Sequence, residues 1–461
     1  MYDIYSPESI VSFAKKLKDK TLREVCGADI KDHLYGGKGN FGQLLEKFYF
    51  GYELNSISEP DFVEAGMELK TTPLKTLRNG RLVSKERLVL NIINYIEVHK
   101  ESFDTSSFWK KNSHLLLVFY LHEKDTDVLD YLIKLVDEWR YPAEDLKIIK
   151  HDWELIKKKI DDGMAHEISE GDTFYLGACT KGSTALKSYR DQPKSEIRAK
   201  QRAFSLKQGY VNHIIANIAT KEKGNFGRII KRPEVLDEVQ SIEDLVVSKF
   251  KPFYGKSVSQ IEQDLKLDLN SKSKSYFAQI TNALLGLKLG ERIEEFEKAD
   301  IQVKTVRLNE NNMPREDISF PNFKYEELIE TDWEDSDFKN ILESKFFFVF
   351  YQFQDDVLYL KKAMFWNMSQ SDIEEAKEVW NAMIERVSNG EIVRGITDKG
   401  MRRTFFPKKS DNRISHVRPH AQNAADTYDL PVADKLTGLT KYTKHCFWLN
   451  ARYVKDEIYL K

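Results

Sequence analysis

The stretch that decides the fold runs Pro60-Asp61-Phe62-Val63-Glu64-Ala65-Gly66-Met67-Glu68-Leu69-Lys70. Alternate side chains of an extended strand share a face, so Glu68 and Lys70 project together, away from the apolar residues beside them. Asp61 lies on the preceding segment and can approach the same point. Two carboxylates and a lysine are the groups that metal-assisted phosphodiester hydrolysis requires, because carboxylates hold a divalent ion and an ammonium can orient or activate a water.

The Glu-x-Lys spacing is a weak signal by itself. It occurs again at Glu343-Ser344-Lys345 and Glu375-Ala376-Lys377, both of which we interpret as surface charges. The alternative interpretation of Glu68 and Lys70 is an exposed ion pair on a strand, worth about 0–1 kcal/mol. Asp61, the flanking apolar residues and a second copy of the run all favour a functional site.

An internal repeat covers most of the chain. Lys20-Thr21-Leu22-Arg23-Glu24-Val25 pairs with Lys256-Ser257-Val258-Ser259-Gln260-Ile261. Four more pairs follow in the same order: residues 40–46 with 276–282, 60–70 with 295–304, 103–108 with 333–338, and 204–211 with 447–454. Five matches with a slowly drifting offset indicate two related modules. The literal repeat of residues 38–42 at 223–227 has the wrong offset, and we place it in a polar linker.

We therefore predict a catalytic domain over residues 1–219, a linker over 220–233 and a second domain over 234–461. Helices are predicted over residues 7–17, 41–48 and 125–139, and strands over 66–70, 87–95, 114–121 and 346–353. Ser6 can cap the first helix. Glu46 lies at the margin of the apolar stripe of the second helix, where a third acid could join the site. Strands and helices interleave, which is typical of an α/β protein.

Composition excludes few classes of protein. The chain has 461 residues, 41% of them apolar, and a formal net charge of −2, so a polyanion must be bound by local patches. Residues 181–207 and 394–420 are such patches, each with eight Lys or Arg against two acids, a net charge of +6. No apolar stretch is long enough for a membrane span. Cys26, Cys179 and Cys446 lie far apart, which fits a reducing, cytoplasmic setting.

Three runs carry a resemblance to a known family. They are Lys38-Gly39-Asn40-Phe41-Gly42-Gln43-Leu44-Leu45-Glu46, then Asp61-Phe62, then Ala65-Gly66-Met67-Glu68-Leu69-Lys70-Thr71-Thr72-Pro73. Together they resemble the MutH family of GATC-specific DNA endonucleases. The two-copy layout and the run Ser84-Lys85-Glu86-Arg87-Leu88-Val89-Leu90-Asn91-Ile92-Ile93-Asn94-Tyr95 resemble its type II restriction branch.

The resemblance implies a fold and a set of site residues. The fold is α/β, with two restriction-endonuclease-like (PD-(D/E)xK, MutH-like) domains, each a mixed sheet flanked by helices. Metal binding, with Mg²⁺ as the expected cofactor, falls to Asp61 and Glu68. Glu46 is the supporting acid, Lys70 activates water, and a further family lysine falls on Lys111.

The family reads DNA through two later elements. An Arg-Pro-Lys loop corresponds here to Cys179-Thr180-Lys181, and a Phe-Tyr-Leu-Lys segment to Phe204-Ser205-Leu206-Lys207. We therefore expect Lys181 and Lys207 to contact DNA, and this sequence lacks the Arg-Pro and the Tyr of the two family motifs. The second half has Arg418-Pro419-His420 at the loop, so Arg418 and His420 are its DNA-binding candidates.

The second copy lacks most of the catalytic groups. Asn282 stands for Glu46, Glu295 for Asp61, Gln302 for Glu68 and Ile341 for Lys111, and Lys304 alone remains. A neutral amide attracts a divalent ion far less than a carboxylate does. We therefore expect the second half to bind DNA as an effector without cutting it.

The leading functional hypothesis is a Mg²⁺-dependent type II restriction endonuclease that hydrolyses double-stranded DNA at GATC. We expect two chains to meet on DNA through two sites, and a cognate methyltransferase to belong to the same system without stable binding. Two alternatives stay open: a nicking endonuclease of mismatch repair, and a catalytically silent DNA-binding regulator.

Overall fold

The computed structural model describes residues 2–27, 40–52, 59–77, 79–181, 188–219, 225–239 and 241–461. Residues 38–39 of the family resemblance, 182–187 of the first basic patch and 220–224 of the predicted linker lie outside these ranges. The chain divides into two compact units. The first unit is Met1–Ile242 with Gly290–Ile301, and the second is Glu243–Leu289 with Gln302–Lys461.

The helices alternate with strands along both units. The α-helices are Pro7–Ala14 (α1), Leu22–Cys26 (α2), Asn40–Leu44 (α3), Tyr95–Val98 (α4), Ser107–Asn112 (α5), Ala143–Asp161 (α6), Gln208–Ala219 (α7), Ile242–Phe250 (α8), Val258–Asp264 (α9), Tyr276–Leu284 (α10), Glu294–Lys298 (α11), Tyr325–Glu330 (α12), Asp337–Leu342 (α13), Gln370–Ser388 (α14) and Ala451–Tyr453 (α15). Among the 3₁₀ turns are Phe103–Thr105, Val128–Asp130 and Trp333–Asp335, and π-helices span Leu45–Phe50 and Val454–Tyr459.

The strands form several small mixed and antiparallel sheets. They are Glu68–Thr76 (β1), Leu82–Ser84 (β2), Leu88–Ile92 (β3), His114–Leu121 (β4), Ile133–Arg140 (β5), Leu176–Thr180 (β6), Tyr189–Gln192 (β7), Ser195–Lys200 (β8), Arg202–Leu206 (β9), Phe226–Gly227 (β10), Arg292–Ile293 (β11), Gln302–Leu308 (β12), Ile318–Phe323 (β13), Phe346–Gln354 (β14), Val357–Trp366 (β15), Val393–Ile396 (β16), Arg402–Thr404 (β17), Ser415–Pro419 (β18), Thr427–Asp429 (β19), Lys441–Thr443 (β20) and His445–Leu449 (β21).

The first unit is built on a four-stranded sheet in the order β2-β1-β4-β5. Its two central strands, β1 and β4, run parallel, and both edge strands are antiparallel to their neighbours. Buried residues of β1 and β4 pack with α1 and the segment 41–50 in one apolar core. A second, antiparallel sheet has the order β3-β9-β6. The predicted mixed α/β class is therefore confirmed.

The second unit repeats this plan. Its β12 and β14 are parallel, and β15 is antiparallel to β14. Its second sheet has the order β13-β21-β18, again antiparallel. The long helices α6 and α14 both have 19 residues. The two units therefore share the order and the direction of their principal strands.

Local signals in the sequence repeat as well. Thr21 and Ser257 each close a capping box at the start of α2 and α9. Ser106 and Ser336 each cap a helix that directly follows a 3₁₀ turn. Because a capping side chain satisfies backbone N–H groups that have no partner within the helix, these four residues fix where the helices begin.

Most predicted elements are confirmed, with one clear error. The strand predicted over residues 114–121 is β4, and that over 346–353 is β14 with one more residue. The helix predicted over residues 125–139 is wrong: a 3₁₀ turn at Val128–Asp130 precedes β5. Ile133 and Val136 fit a helical stripe, but they are β-branched, and β5 pairs with β4 along its length.

Residues 290–301 pack within the first unit although they come from the second half of the sequence. Strand β11 pairs with β10, and the ammonium of Lys298 lies 2.9 Å from a carboxylate oxygen of Asp145 in α6. The compact units therefore do not follow the predicted domain boundaries along this segment. Among the described residues, no helix is long and apolar enough to cross a membrane.

Candidate active site

A tight turn brings Asp61 beside the start of β1. The N–H of Phe62 donates to the carbonyl oxygen of Met67 at 2.9 Å, and the N–H of Met67 donates back at 3.2 Å. Gly66 closes the turn at φ +60°, a conformation that glycine adopts without steric cost. Asp61 and Glu68, seven residues apart in sequence, therefore flank one backbone bridge.

The two carboxylates are interlocked through the backbone. The N–H of Asp61 donates to Glu68 Oε2 at 3.0 Å, and the N–H of Leu69 donates to Asp61 Oδ2 at 3.0 Å. Each acid thus accepts a hydrogen bond from the segment that carries the other. Such bonds hold side chains in one rotamer, which is how a site keeps its groups in place before substrate binds.

Two lysines converge on the other oxygen of Glu68. Lys70 Nζ donates to Glu68 Oε1 at 2.6 Å, and Lys111 Nζ lies 3.5 Å from the same atom. The Glu68 side chain is 2% exposed, and those of Lys70 and Lys111 are 16% and 17% exposed. Burial raises the pKa of Glu68, Asp61 raises it further, and the two lysines oppose that rise. The predicted acid–acid–x–lysine group is thus a contiguous cluster that includes Lys111.

Lys111 reaches this cluster from α5. Ser106 caps that helix by accepting from the N–H of Trp109, and Lys111 lies in the last turn. Strand β4 begins two residues after the helix ends, and its Leu117 pairs with Lys70 of β1. The parallel pairing of β1 and β4 therefore sets the approach of Lys111 to Glu68.

Glu46 joins the site from the π-helix that continues α3. Burial raises its pKa to about 7, and the charges of Asp61 and Glu68 add to the rise, while Lys70 and Lys111 oppose it. The repulsion that raises the pKa of Glu46 favours a bound cation, because a cation offsets the negative charges around it.

Gly42 was not singled out from the sequence, yet it sets the packing of this helix on β1. A Cβ at Gly42 would lie 3.1 Å from Thr71 Oγ1 and 3.9 Å from Glu46 Oε1. The signal was available, since Gly42 lies within the run that carries the family resemblance. A side chain there would push the helix, and Glu46 with it, away from the strand.

The donor set fits a divalent ion that keeps several waters. Among the described residues, no three His, Cys, Asp or Glu side chains are grouped closely enough to hold a metal ion by themselves. Asp61 and Glu68 offer two carboxylates on one bridge, and Glu46 is within electrostatic reach. Mg²⁺ is usually held by one or two carboxylates together with water and substrate phosphates. The described residues therefore fit a Mg²⁺ ion that is held by two carboxylates and completes its coordination with water and substrate.

The corresponding strand of the second unit has lost this chemistry. Gln302 pairs with Phe346 and Lys304 with Phe348, in the same staggered order as Glu68 and Lys70 with β4. Asn282 lies in α10 and Ile341 in α13, the helices that correspond in the repeat to those carrying Glu46 and Lys111. Glu295, the counterpart of Asp61, belongs to the first unit and accepts from the N–H groups of Ile229 and Ile230.

The two DNA-binding candidates of the first half lie in different surroundings. Lys181 is partly buried at the end of β6, and its N–H donates to the carbonyl oxygen of Gln201 at 2.8 Å. Lys207 is 5% exposed, and its ammonium donates to the carbonyl oxygens of Thr173 at 2.5 Å and of Ala299 at 3.5 Å. In this conformation Lys207 points into the protein and does not offer its charge to DNA.

Asn450, which the repeat pairs with Lys207, has a related role. It is buried, and its Nδ2 donates to the carbonyl oxygens of Asn412 and Arg413, both at 2.9 Å. Lys207 and Asn450 thus each lie between a buried strand and the helix that follows it, and each donates hydrogen bonds to backbone carbonyl oxygens. The burial of the strand's end gives Lys207 a structural environment that the family motif does not reveal, and its contact with DNA stays a prediction.

The candidates of the second half are exposed. The guanidinium of Arg418 lies 3.7 Å from the ring centroid of Trp448 and 3.5 Å from Asp317. His420 Nδ1 lies 3.1 Å from Asn322 Oδ1. Stacking on a tryptophan orients a guanidinium without neutralising it, so Arg418 can still reach a phosphate or a base edge.

The other two Glu-x-Lys triplets, at residues 343–345 and 375–377, differ in how far their charged side chains are buried. Glu375 is partly buried and pairs with Arg413 at 2.8 Å. Glu343 and Lys345 are buried, so the interpretation of that triplet as surface charges is wrong. Glu343 pairs with Lys339 at 3.0 Å, a helix neighbour four residues away, which explains how the charge is tolerated inside.

Comparison with known proteins places these observations. A family model described as "DNA mismatch repair enzyme MutH" matches residues 50–152, which contain Asp61, Glu68, Lys70 and Lys111. The type II restriction enzyme Sau3AI of Staphylococcus aureus is 37% identical over 496 aligned residues, covering 99% of this chain and 99% of that enzyme. The chain belongs to the Sau3AI family of type II restriction enzymes.

Single MutH proteins match a smaller part of the chain. The mismatch repair protein MutH of Vibrio campbellii is 26% identical over 196 residues, 42% of this chain and 84% of that protein. MutH of Shewanella woodyi is 26% identical over 220 residues, 46% of this chain and 93% of that protein. The predicted MutH-like fold and the predicted type II site-specific deoxyribonuclease activity are confirmed by these relationships.

Proposed function

We propose that this restriction enzyme is Mg²⁺-dependent and cleaves both strands of double-stranded DNA at GATC, with the first unit cutting and the second binding DNA as an allosteric effector. One observation carries the proposal. Glu68 is interlocked with Asp61 and paired with Lys70 at 2.6 Å, whereas the equivalent strand of the second unit has Gln302 and Lys304. One centre is equipped for hydrolysis and its counterpart is not.

The chain's own residues divide the work of hydrolysis. Mg²⁺, held by Asp61 and Glu68, would stabilise charge on the scissile phosphate and lower the pKa of a water. Lys70 carries three N–H donors and can orient a water or a phosphate oxygen. Lys111 adds positive charge on the same side of Glu68. The pKa of Glu46, about 7, suits a group that accepts a proton at neutral pH.

Specificity for GATC rests on the family resemblance and on Lys181. A lysine that reaches the N7 and O6 atoms of guanine in the major groove discriminates by about 1–3 kcal/mol. A cytoplasmic restriction enzyme of this kind implies a methyltransferase that protects the host DNA, with no stable complex between the two. Cys26, Cys179 and Cys446 are all free thiols, in keeping with a reducing compartment.

The palindrome explains why two units are useful. GATC presents two scissile phosphates related by two-fold symmetry, and one chain supplies one complete centre. We therefore propose that two chains meet on DNA and that each second unit grips a further GATC. Binding two sites at once raises the effective concentration of one at the other.

Digestion of a defined duplex tests the core of the proposal. The full-length chain, Mg²⁺ and a duplex with one GATC should give two mapped ends, and EDTA should stop the reaction. Duplexes methylated at adenine or at cytosine identify the protecting mark. Glu375→Gln, in the Glu-x-Lys triplet of residues 375–377 in the second unit, is the matched control and should cut normally. Ends that map outside GATC would contradict the specificity, and a single nicked strand would favour the mismatch-repair alternative.

Plasmids with one and two GATC sites test the effector role. The two-site plasmid should be cut about tenfold faster at low enzyme concentration, and an uncleaved GATC oligonucleotide should accelerate the one-site plasmid. Equal rates with no effect of the oligonucleotide would leave a restriction enzyme without an effector unit. No cleavage of either plasmid would favour the silent-regulator alternative.

A further inference from the structure

A cavity of about 300 Å³ opens beside the degenerate centre of the second unit. Strand β12 and the segment that leads into β13 line it. Its charged residues are Lys304, Arg307, Arg315, Glu316 and Asp317. It thus lies along the strand that corresponds to β1, and it has at its wall the lysine that corresponds to Lys70.

The acids of the cavity already have cationic partners. Glu316 accepts from the guanidinium of Arg307 at 2.9 Å. Asp317 pairs with Lys409 at 2.5 Å and accepts from the N–H of Ala451 at 2.7 Å. Burial alone would raise the pKa of Asp317, but Lys409 and that N–H lower it overall, so Asp317 is ionised and engaged.

Among the described residues, two cations of the cavity, Lys304 and Arg315, have no carboxylate partner. In the part of the chain that the structure describes, no carboxylate pairs with Lys304, whose ammonium lies 5.7 Å from the ring centroid of Phe320. Burial lowers its pKa. The guanidinium of Arg315 stacks 4.7 Å from the ring centroid of Phe353 and is otherwise exposed. The cavity therefore combines a desolvated ammonium with a guanidinium held by an aromatic ring.

The contrast with the first unit shows what is missing. Lys70 is desolvated too, but Glu68 accepts from it at 2.6 Å. Beside Lys304, the position of that acid is held by Gln302, which carries no charge. Removing an unpaired ammonium from water costs free energy, and an anion from outside the protein can offset that cost.

We propose that this cavity binds a phosphate group without hydrolysing it, through Lys304 and Arg315, and that its natural ligand is a phosphodiester of duplex DNA. The inference rests on the proposed effector function and specifies the contact by which the second unit grips DNA. Hydrolysis does not follow, because the carboxylates that would hold a metal ion are absent from this strand. The same chemistry also accepts inorganic phosphate, which serves as a probe.

Thermal unfolding of the full-length chain tests the site with inorganic phosphate. Glu68 is left intact in this assay so that Lys70 keeps its carboxylate partner, and Glu68→Gln is used only with duplex DNA, where it keeps the first unit from cutting. Phosphate should raise the unfolding temperature of the second unit more than chloride of equal ionic strength does, since a ligand that binds only the folded state stabilises it. Without phosphate, Lys304→Met should raise the unfolding temperature. The same variant should abolish the rise that phosphate causes, whereas Lys304→Arg should preserve that rise.

The control for general electrostatics is Lys274→Met, which removes an exposed lysine from the turn before α10, outside both basic patches. It should leave the phosphate effect intact. A phosphate effect that survives Lys304→Met, or that Lys274→Met removes equally, would overturn the proposal. So would a lower unfolding temperature of Lys304→Met without phosphate, because it would mean that the ammonium has a stabilising partner.

Duplex DNA distinguishes the two sources of phosphate. With a GATC duplex, Lys304→Met should lower the salt slope of binding by about one ion, as the loss of one phosphate contact does. An unchanged slope with an intact phosphate effect would mean that the cavity takes free phosphate and not DNA. If plasmids with one and two sites are cut equally but the phosphate effect is present, the effector function fails and the anion site stands.

Discussion

Strands β1 and β12 correspond in the repeat and differ in their charged side chains, although β1 also pairs with β2 while β12 lies at the edge of its sheet. Both pair in parallel with the next central strand, and both begin at the residue where the acid belongs, Glu68 in one and Gln302 in the other. In β1 the acid has two lysines and a backbone N–H around it. In β12 the lysine is left without the acid. At this position the two strands therefore differ by one negative charge.

The comparison shows that the two units keep the same backbone arrangement while their polar side chains differ. The strand order, the parallel pairing and the serine caps are present in both units, and the apolar residues of β4 and β14 fill both cores. Function depends on a few polar side chains at one end of the central strands, as is general for folds that host many activities.

Removing the acids of β1 should have the largest effect. Glu68→Gln and Asp61→Asn should each lower the cleavage rate by about 10³-fold or more, because a lost metal ligand removes several kcal/mol of charge stabilisation and each 1.36 kcal/mol is tenfold. DNA binding should change little, since affinity comes mostly from phosphate contacts. Mapped digestion and a binding assay measure the two effects, with Glu375→Gln as the control. Full activity of both variants would remove Glu68 and Asp61 from the site.

The segment 290–301 offers the next largest effect, this time on stability. Lys298 pairs with Asp145 at 2.9 Å and with Glu294 at 2.9 Å, and both Lys298 and Asp145 are buried. Lys298→Met should cost about 3–5 kcal/mol, because it leaves a buried carboxylate without its cation. Arg292→Met, which breaks the exposed pair with Glu297, should cost at most about 1 kcal/mol.

Denaturant unfolding of the first unit measures both variants. Adding Asp145→Asn to Lys298→Met should recover part of the loss, since the unpaired charge is then gone. Equal costs for Lys298→Met and Arg292→Met would mean that the buried pair contributes no more than a surface pair. The same contact predicts that a fragment of residues 1–219 folds poorly, because it lacks residues 290–301 altogether.

Much of the site could be predicted from the sequence because it is local. Asp61, Glu68 and Lys70 lie within ten residues, and one turn and one strand bring them together. Lys111 came only from the resemblance, because it needs the parallel pairing of β1 with β4, which no local pattern specifies. Gly42 was missed for the same reason: its role appears only when the helix is packed on Thr71.

The errors have a common physical origin in long-range packing. The strand at Ile133–Arg140 was predicted as a helix because its apolar spacing fits both periods, and pairing with β4 decides the outcome. The burial of Lys207 was also not expected from the sequence: its ammonium binds the carbonyl oxygen of Thr173 in the interior, and the predicted contact with DNA stays a prediction. In both cases a partner more than ten residues away in sequence determines the state.

The pH dependence of cleavage should be a smaller effect, and it depends on Glu46. Burial and the neighbouring acids raise its pKa to about 7, so Glu46 is protonated below that pH when no cation is bound. At limiting Mg²⁺ the cleavage rate should rise by up to about tenfold per pH unit below 7, because one proton must leave as the ion binds. Glu46→Gln should flatten this rise, whatever its effect on the maximal rate.

The stability of the first unit gives an independent check on the sign. A raised pKa means that protonated Glu46 stabilises the fold at low pH, and this contribution is lost as the pH rises from about 4.5 through about 7. Mg²⁺ favours the carboxylate and should reduce that loss. Unfolding temperatures at several pH values, with and without Mg²⁺, measure it. An identical pH profile for Glu46→Gln would show that another group titrates.

Gln302→Glu is the smallest intervention and the one that tests the comparison most directly. It restores the acid of β12 beside Lys304, yet it should create no cleavage. The positions that correspond to Glu46 and Lys111 are still occupied by Asn282 and Ile341. The remaining acid, Glu295, is bound to the N–H groups of Ile229 and Ile230 in the first unit.

The new carboxylate of Gln302→Glu should instead pair with Lys304, as Glu68 does with Lys70. This pair should raise the pKa of Lys304 and leave its ammonium less available to a ligand. Phosphate should then stabilise the second unit less, and the preference for two-site plasmids should weaken. Both shifts would be measured with an unaltered first unit, in which Lys70 keeps its pair with Glu68. Cleavage by a chain that combines Glu68→Gln with Gln302→Glu would mean that the second unit is one residue away from a working centre, and that the two strands differ less than the comparison holds.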